Sequence, residues 1–318
     1  MLSLPSEATV VEVGPRDGLQ SLDRWVPTDD KVRIVDRLSA AGFPVIEVTG
    51  FAHPRVIPNL RDAEEVMARI ERHPGTVYRA LVPNARGAQR AATAGVDAMV
   101  GLITVSETYT AKNQNMTVDQ GIAEAAAAFE VATKAGIPFV MAVGMAFFCP
   151  YEGRISEDRT ESVVGRLREH GIQRFYVAGS LGVEDPRHVE GLVSRLRHRW
   201  PDIDLGFHVH NLAGFGMANA VAALVGGASW LEGSICGIGG GIAMPTTVSG
   251  VGNLATEDLV HVLNEMGVRT GIDTEAALSA SRDIAGILGM EPASHLAHSG
   301  TRAEVMERGR QSPRHHPD

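Results

Sequence analysis

The chain has 318 residues, 44% of them hydrophobic, and a formal net charge of −9. That is core material for one large domain, without the basic stripe of a nucleic-acid-binding surface. Its two cysteines, Cys149 and Cys236, are too few for a disulfide framework and fit a reduced cytoplasm. There is no run of about 18 apolar residues to span a membrane, and the first residues lack the pattern of a secretory leader.

Short β-rich runs alternate with helix-length amphipathic segments. In chain order, a strand over 9–13 precedes a helix over 30–41, a strand over 45–48 a helix over 60–72, and a strand over 77–81 a helix over 85–94. The pattern continues with 98–102 before 118–134, 139–143 before 157–170, and 174–177 before 186–199. It ends with 205–209 before 215–226 and 230–234 before 256–266. Many of these helices open on Asp, Thr, Ser or Asn and close near Gly. Eight strand-then-helix units predict an α/β fold, a (β/α)8 TIM barrel with a C-terminal helical extension. One catalytic domain is expected over 1–300 and a polar, poorly ordered tail over 301–318. His315 and His316 in that tail are read as an adventitious pair. An open doubly wound sheet is the alternative, but no G-x-G-x-x-G follows the first strand. The late run from Gly237 to Gly241 fails that template because residue 242 is Ile.

In such a barrel the loops after the strands form the active face, and the polar residues gather there. Strand one leads to Gly14-Pro-Arg16-Asp17-Gly-Leu-Gln20, and strand two ends in Glu47-Val-Thr49. Strand four leads to Ser106-Glu107 and Lys112-Asn113. Strand seven carries His208-Val-His210-Asn211, and strand eight runs through the glycines to Gly252-Asn253. Alternate residues of a strand face one side, so His208 and His210 would project together into the barrel mouth while Val209 points into the helical layer. Neutral imidazole is a common metal ligand, and Asp17 is the natural anionic partner for a dication. Mg²⁺ or Mn²⁺ is expected first, with Zn²⁺ or Co²⁺ compatible with the same donors. The competing reading is a pair of structural histidines. Arg16 offers a planar fork of donors to an enolate or a carboxylate, or else forms an ion pair at the mouth. Glu47 is read as catalytic, orienting Arg16 or a water on the metal, or else as a structural salt bridge.

Several longer motifs follow one another in a recognisable order. They are Val11-Glu-Val-Gly-Pro-Arg-Asp-Gly-Leu-Gln20, Val45-Ile-Glu-Val-Thr49 with Phe51, and Cys149-Pro-Tyr-Glu-Gly-Arg-Ile-Ser156. Leu181-Gly-Val183, Gly252-Asn-Leu-Ala-Thr-Glu-Asp-Leu259 and Gly267-Val-Arg-Thr-Gly271 complete the set. Over 8–290 the chain resembles the 3-hydroxy-3-methylglutaryl-CoA lyases of the metallolyase (pyruvate carboxyltransferase-like) TIM-barrel family. The resemblance implies metal ligands at Asp17, His208, His210 and Asn253. It implies enolate stabilisation by Arg16 and a base role for His208 in some steps. Substrate contacts are expected at Gln20, Thr49, Ser106, Lys112, Asn113 and Ser180. The implied activity is divalent-metal-dependent cleavage of a carbon–carbon bond in a 3-hydroxyacyl-CoA, by retro-Claisen or retro-aldol chemistry through an enolate. A homodimer with no nucleic-acid or membrane partner goes with it.

Two departures fall on the active face. Where the lyases carry a catalytic cysteine directly after a Gly-Leu-Gly-Gly run, this chain has Gly241. Where they carry Gly-Asp-Thr at the sixth strand end, it reads Ala178-Gly179-Ser180. These changes lead us to expect a substrate other than 3-hydroxy-3-methylglutaryl-CoA, or that substrate with a substitute acid. An aldolase or condensing enzyme acting on a 2-oxo or hydroxy acid without CoA is a further reading, and a catalytically silent barrel another. His53 and Tyr109 are candidate proton donors, whereas Cys236 is read as a packed small residue. A Schiff-base aldolase is disfavoured because the lysines are Lys31, Lys112 and Lys134 alone, two of them in helical patterns.

Overall fold

In the computed structural model, which describes residues 3–240 and 252–311, eight parallel strands among those residues close into a barrel. They are β1 (Thr9–Glu12), β2 (Val45–Gly50), β3 (Val77–Leu81), β4 (Ala98–Thr104), β5 (Phe139–Gly144), β6 (Arg174–Gly179), β7 (Asp204–Val209) and β8 (Trp230–Gly233). Neighbours in sequence are neighbours in space, and β8 closes on β1 with Thr9 opposite Trp230. The predicted fold class and all eight strand positions are therefore observed, with ends that differ by a few residues.

Two apolar layers hold the barrel, and strand alternation separates them. Val11, Leu81, Val100, Val140, Tyr176 and Trp230 fill the interior. Val10, Ile46, Met99, Val177, Phe207 and Val209 face outward into the larger core beneath the helices. Those helices are α1 (Thr28–Ala40), α2 (Ala63–Arg69), α3 (Ala85–Thr93), α4 (Glu107–Gln114), α5 (Val118–Lys134), α6 (Glu157–Glu169), α7 (Pro186–Arg199), α8 (Gly216–Val225) and α9 (Thr256–Glu265). Beyond the barrel come α10 (Thr274–Leu288), α11 (His295–Ser299) and α12 (Arg302–Gln311).

Local chemistry explains where the elements differ from expectation. The second helix is shorter than predicted because Pro58 opens a separate 3₁₀ turn over Pro58–Leu60 and Ile70 is already extended. The loop after β4 contains α4, because the Ser106 hydroxyl caps it by accepting the Tyr109 N–H. A small hairpin pairs Phe148–Cys149 with Gly153–Arg154. The tail reading needs correction over part of its length. Arg302–Gln311 forms a helix with no buried side chain, while His315 and His316 lie outside the described residues. Among the described residues no helix is long and apolar enough to cross a membrane.

Gly206 shows how tightly the interior is filled. A Cβ at this position would stand 2.3 Å from the Trp230 ring of the next strand, so the indole occupies the volume that a side chain on β7 would need. Gly206→Ala is expected to cost about 1–3 kcal/mol, the range for overpacking a filled core, read as a lower unfolding midpoint. An unchanged midpoint would show that the indole has room to move.

Candidate active site

The site sits at the carboxyl end of the barrel, where β1, β7 and the segment after β8 converge. One turn of π-helix at Gly14–Gly18 follows β1 directly and buries both Arg16 and Asp17. Gly14 is needed there: a Cβ would meet the Glu12 carboxylate at 2.7 Å, and that carboxylate accepts the Gly14 and Ile235 N–H groups. His208 and His210 follow the alternation of β7 inward. The segment carrying Asn253 is pinned beside them, because Leu254 N–H donates to Val209 and Asn211 N–H to Gly252.

Donor atoms of Asp17, His208 and His210 lie within 4.8 Å of one another. The two Nε2 atoms are 2.8 Å apart, and Asp17 Oδ2 is 4.0 Å from the first and 3.8 Å from the second. Asn253 Nδ2 donates to Asp17 Oδ2 at 2.8 Å, while Asn253 Oδ1 is buried without a partner. An orphaned amide oxygen is costly to bury, and the amide that carries it is bonded to the Asp17 carboxylate of the cluster. His208 Nδ1 lies 2.9 Å from Glu232 Oε2, which orients the ring with Nε2 toward His210. Burial, reinforced by His208, pushes the His210 imidazole down to about 3, so it stands neutral. Two imidazole nitrogens, a carboxylate and an amide oxygen suit a divalent cation.

Behind these donors runs a buried chain of ion pairs. Asp17 Oδ1 accepts Arg16 Nη1 at 2.6 Å, and Arg16 Nε pairs with Glu47 Oε1. Glu47 Oε2 accepts Arg79 Nε at 2.8 Å, and Arg79 Nη2 also pairs with Glu232 Oε1. Burial works against the Arg16 charge, but Glu47 and Asp17 outweigh it and hold its pKa above the ordinary value. Burial also opposes the Asp17 charge. Arg16, His208 and His210 prevail, keeping this carboxyl below the usual range.

A cavity of about 110 Å³ opens above this chain, lined by Arg16, Asp17, His208 and His210 and, of the expected contacts, by Gln20, Asn113 and Ser180. Gln20 donates to Asp17 at 2.9 Å, and the Ser180 hydroxyl accepts the Met145 N–H at 2.9 Å. Thr49 is buried in β2 and Lys112 is exposed on α4, its Nζ 5.0 Å from the Tyr151 ring centre; neither lines this cavity. Ser106 is turned away as well, donating to Glu152 at 2.6 Å while it caps α4, so it sets the helix that brings Tyr109 and Asn113 to the cavity. Glu47 is fully buried between two arginines. Cys236 packs on Ser281, and burial aided by Glu257 pushes its thiol up to about 12. Gly241 lies outside the described residues. Sequence reasoning missed Arg79, Glu232 and Tyr176. The first two carried a signal: each is a charged residue at an inward position of a barrel strand, and such a group must be paired.

Comparison with known proteins agrees with this geometry. Residues 7–284 match the family model described as HMGL-like. The mitochondrial hydroxymethylglutaryl-CoA lyase of Mus musculus is 36% identical over 299 residues, covering 94% of this chain and 91% of the relative. Hydroxymethylglutaryl-CoA lyase YngG of Bacillus subtilis is 35% identical over 278 residues, 87% of this chain and 92% of its own. An HMG-CoA lyase from Acenitobacter baumannii, solved in complex with coenzyme A and 3-methylmalate, has a TM-score of 0.89 at 35% identity and covers 100% of both chains. With the family match running through the barrel and a relative this similar along nearly its whole length, the chain belongs to the HMGL-like family.

Proposed function

We propose that this protein is a divalent-metal-dependent carbon–carbon lyase that cleaves a 3-hydroxyacyl-CoA of the hydroxymethylglutaryl type. The observation that carries the reading is the convergence of Asp17, His208 and His210 beside Arg16 in one cavity, with the Asn253 amide hydrogen-bonded to Asp17. Those four residues would hold the cation, with Mg²⁺ or Mn²⁺ favoured by the two oxygen donors. When bound, it would act as a Lewis acid on the substrate's hydroxyl and neighbouring carbonyl oxygens and make the hydroxyl proton easier to remove.

The protein's own groups do the rest. In the steps where His208 acts as the base, its Nε2 would take that proton while Asp17, His210 and Asn253 keep the cation, and Glu232 would hold the resulting imidazolium through Nδ1–H. As the carbon–carbon bond breaks, the hydroxyl-bearing carbon becomes a ketone or aldehyde, and the bonding electrons pass to the thioester fragment as an enolate. Arg16, clamped by Glu47 and Asp17, presents a fixed charge to the enolate oxygen with no reorganisation at the moment of reaction. The enolate carbon then takes a proton to give the acyl-CoA product. Tyr109 lines the cavity, whereas His53 is exposed on the loop after β2, so we assign the last proton transfer to Tyr109. The cavity's size suits a short acyl head, with the rest of the CoA ester extending outward. A homodimer in the cytoplasm is the proposed setting.

A panel of 3-hydroxyacyl-CoAs and free 2-hydroxy and 2-oxo acids, incubated with the metal-loaded chain and followed by mass spectrometry, tests the activity. Cleavage of a 3-hydroxyacyl-CoA to an acyl-CoA and a carbonyl product is expected, and turnover of the free acids alone would sink the reading. Hydrolysis-free cleavage of 3-hydroxy-3-methylglutaryl-CoA at about 1–10³ s⁻¹, the ordinary range, would keep the lyase but remove the expectation of a different acyl group. Asp17→Ala and His208→Ala should lose both turnover and bound metal, the latter read by elemental analysis. Retention of metal by both would disprove the ligand set. Arg16→Lys keeps the charge but not the fork, and kcat and kcat/KM should fall together by about 10²-fold. Tyr109→Phe should lower kcat by about 10²-fold or more, as for loss of a positioned acid; unchanged kcat would exclude it as the donor.

A further inference from the structure

Gly179 closes β6 between Ala178 and Ser180, both of which line the cavity. By strand alternation its missing side chain would point the other way, into the layer beneath the helices where Val177 lies with Val209, the register partner of Gly179. That space is already taken. A Cβ on Gly179 would stand 1.9 Å from Oε1 and 2.6 Å from the carboxyl carbon of Glu184. Glu184, in the turn before α7, is 1% exposed, and both its carboxyl oxygens are buried without a hydrogen-bond partner. Native structures rarely leave a carboxyl in this state. Burial pushes it up to about 7. Position 179 is also where this chain lacks the aspartate expected from the resemblance, so a carboxyl absent from the strand is present in the same space from five residues further on.

The turn that carries Glu184 is built into the site. Gly182 N–H donates to Gly179 O at 3.0 Å, and Gly182 O accepts the Ala213 N–H at 2.9 Å. Gly182 sits so close to the end of the histidine strand that a Cβ would be 2.7 Å from the carbonyl carbon of His210 and from Asn211 N. The Asn219 side chain of α8 donates to the Glu184 carbonyl at 2.8 Å. This turn thus touches Ser180 on one side and the backbone beyond His210 on the other.

We propose that Glu184 is a positioning residue of the active site: its carboxyl takes the space of a side chain at 179 and, from outside the barrel wall, braces the turn that seats Ser180 in the cavity and abuts His210. This rests on the proposed lyase activity. The native metal-loaded chain is compared with Glu184→Gly, Glu184→Met, Gly179→Asp and the double variant Gly179→Asp/Glu184→Gly for kcat, KM, metal content and thermal midpoint. Glu184→Gly and the volume-filling Glu184→Met should each lose kcat by about 10–100-fold, the range for residues that support a ligand shell, with KM little changed. The double variant, which returns a carboxyl to position 179, should recover most of that loss. Gly179→Asp alone puts two groups in one space and should lower the thermal midpoint. Native kcat in Glu184→Met, or a double variant no better than Glu184→Gly, overturns the proposal, as does an unshifted midpoint in Gly179→Asp. A native chain that cleaves none of the CoA esters overturns instead the functional reading beneath it.

Discussion

Arg79 holds two carboxylates in the middle of the barrel, and each of those carboxylates holds one half of the site. Glu47 reaches up to Arg16, and Glu232 reaches up to His208. Arg16 and His208, the residues proposed for the enolate and for the metal, are therefore positioned by the same guanidinium, which touches neither. Placing these charges in a dry interior is expensive, and only near-complete pairing makes it tolerable. Removal of one member would strand its partner at a cost of about 3–5 kcal/mol. The relay is thus a set whose members cannot vary singly, and that interdependence is what keeps the reacting groups rigid.

The relay also sets the charge that the site offers to a ligand. Arg16 and Arg79 bring two positive charges; Asp17, Glu47 and Glu232 bring three negative ones. Leaving the imidazoles aside, the excess is one negative charge, which Asp17 presents beside His208 and His210. A bound dication would make that one net positive charge facing the cavity, the sign that would favour an alkoxide or enolate oxygen over its neutral precursor. Protein dipoles and charges fixed before the reaction act most strongly in such water-poor surroundings.

Much of this was legible in the sequence. The short β-rich runs and helical patterns located all eight strands because a parallel barrel buries each strand on both faces and each helix on one. Asp17, His208 and His210 were legible because strand alternation alone brings two imidazoles to one face. Asn253 and the acyl-CoA came only through resemblance, since nothing in local spacing says that a residue after β8 folds back against β7. Arg79 and Glu232 were passed over because a lone charge in a short strand looks like surface until the register is known. Ser106 was misplaced for a related reason: a serine before a helix serves equally as a cap or as a contact, and the choice depends on Glu152 arriving from the hairpin beyond β5. Glu184 was invisible, because its significance lies in what Gly179 leaves out.

The supports of the cavity fall into two groups. Asp17, His208, His210, Asn253 and Arg16 hang from β1, β7 and the segment after β8, all tied to the ionic relay. Tyr109 and Asn113 hang from α4, which depends on the Ser106 cap and Glu152, and Ser180 from a turn that depends on Met145 and Glu184. Among the described residues no ion pair links these second supports to Arg79 or its carboxylates. A change on the α4 or β6 side can therefore reshape the cavity wall while leaving the ion pairs around Arg16 in place. A change in the relay disturbs Arg16 and His208 at once. This is the physical form of the rule that one barrel can host many substrates while keeping one chemistry. It also explains how Gly179, a departure on the β6 side, coexists here with Asp17, His208 and His210 held together.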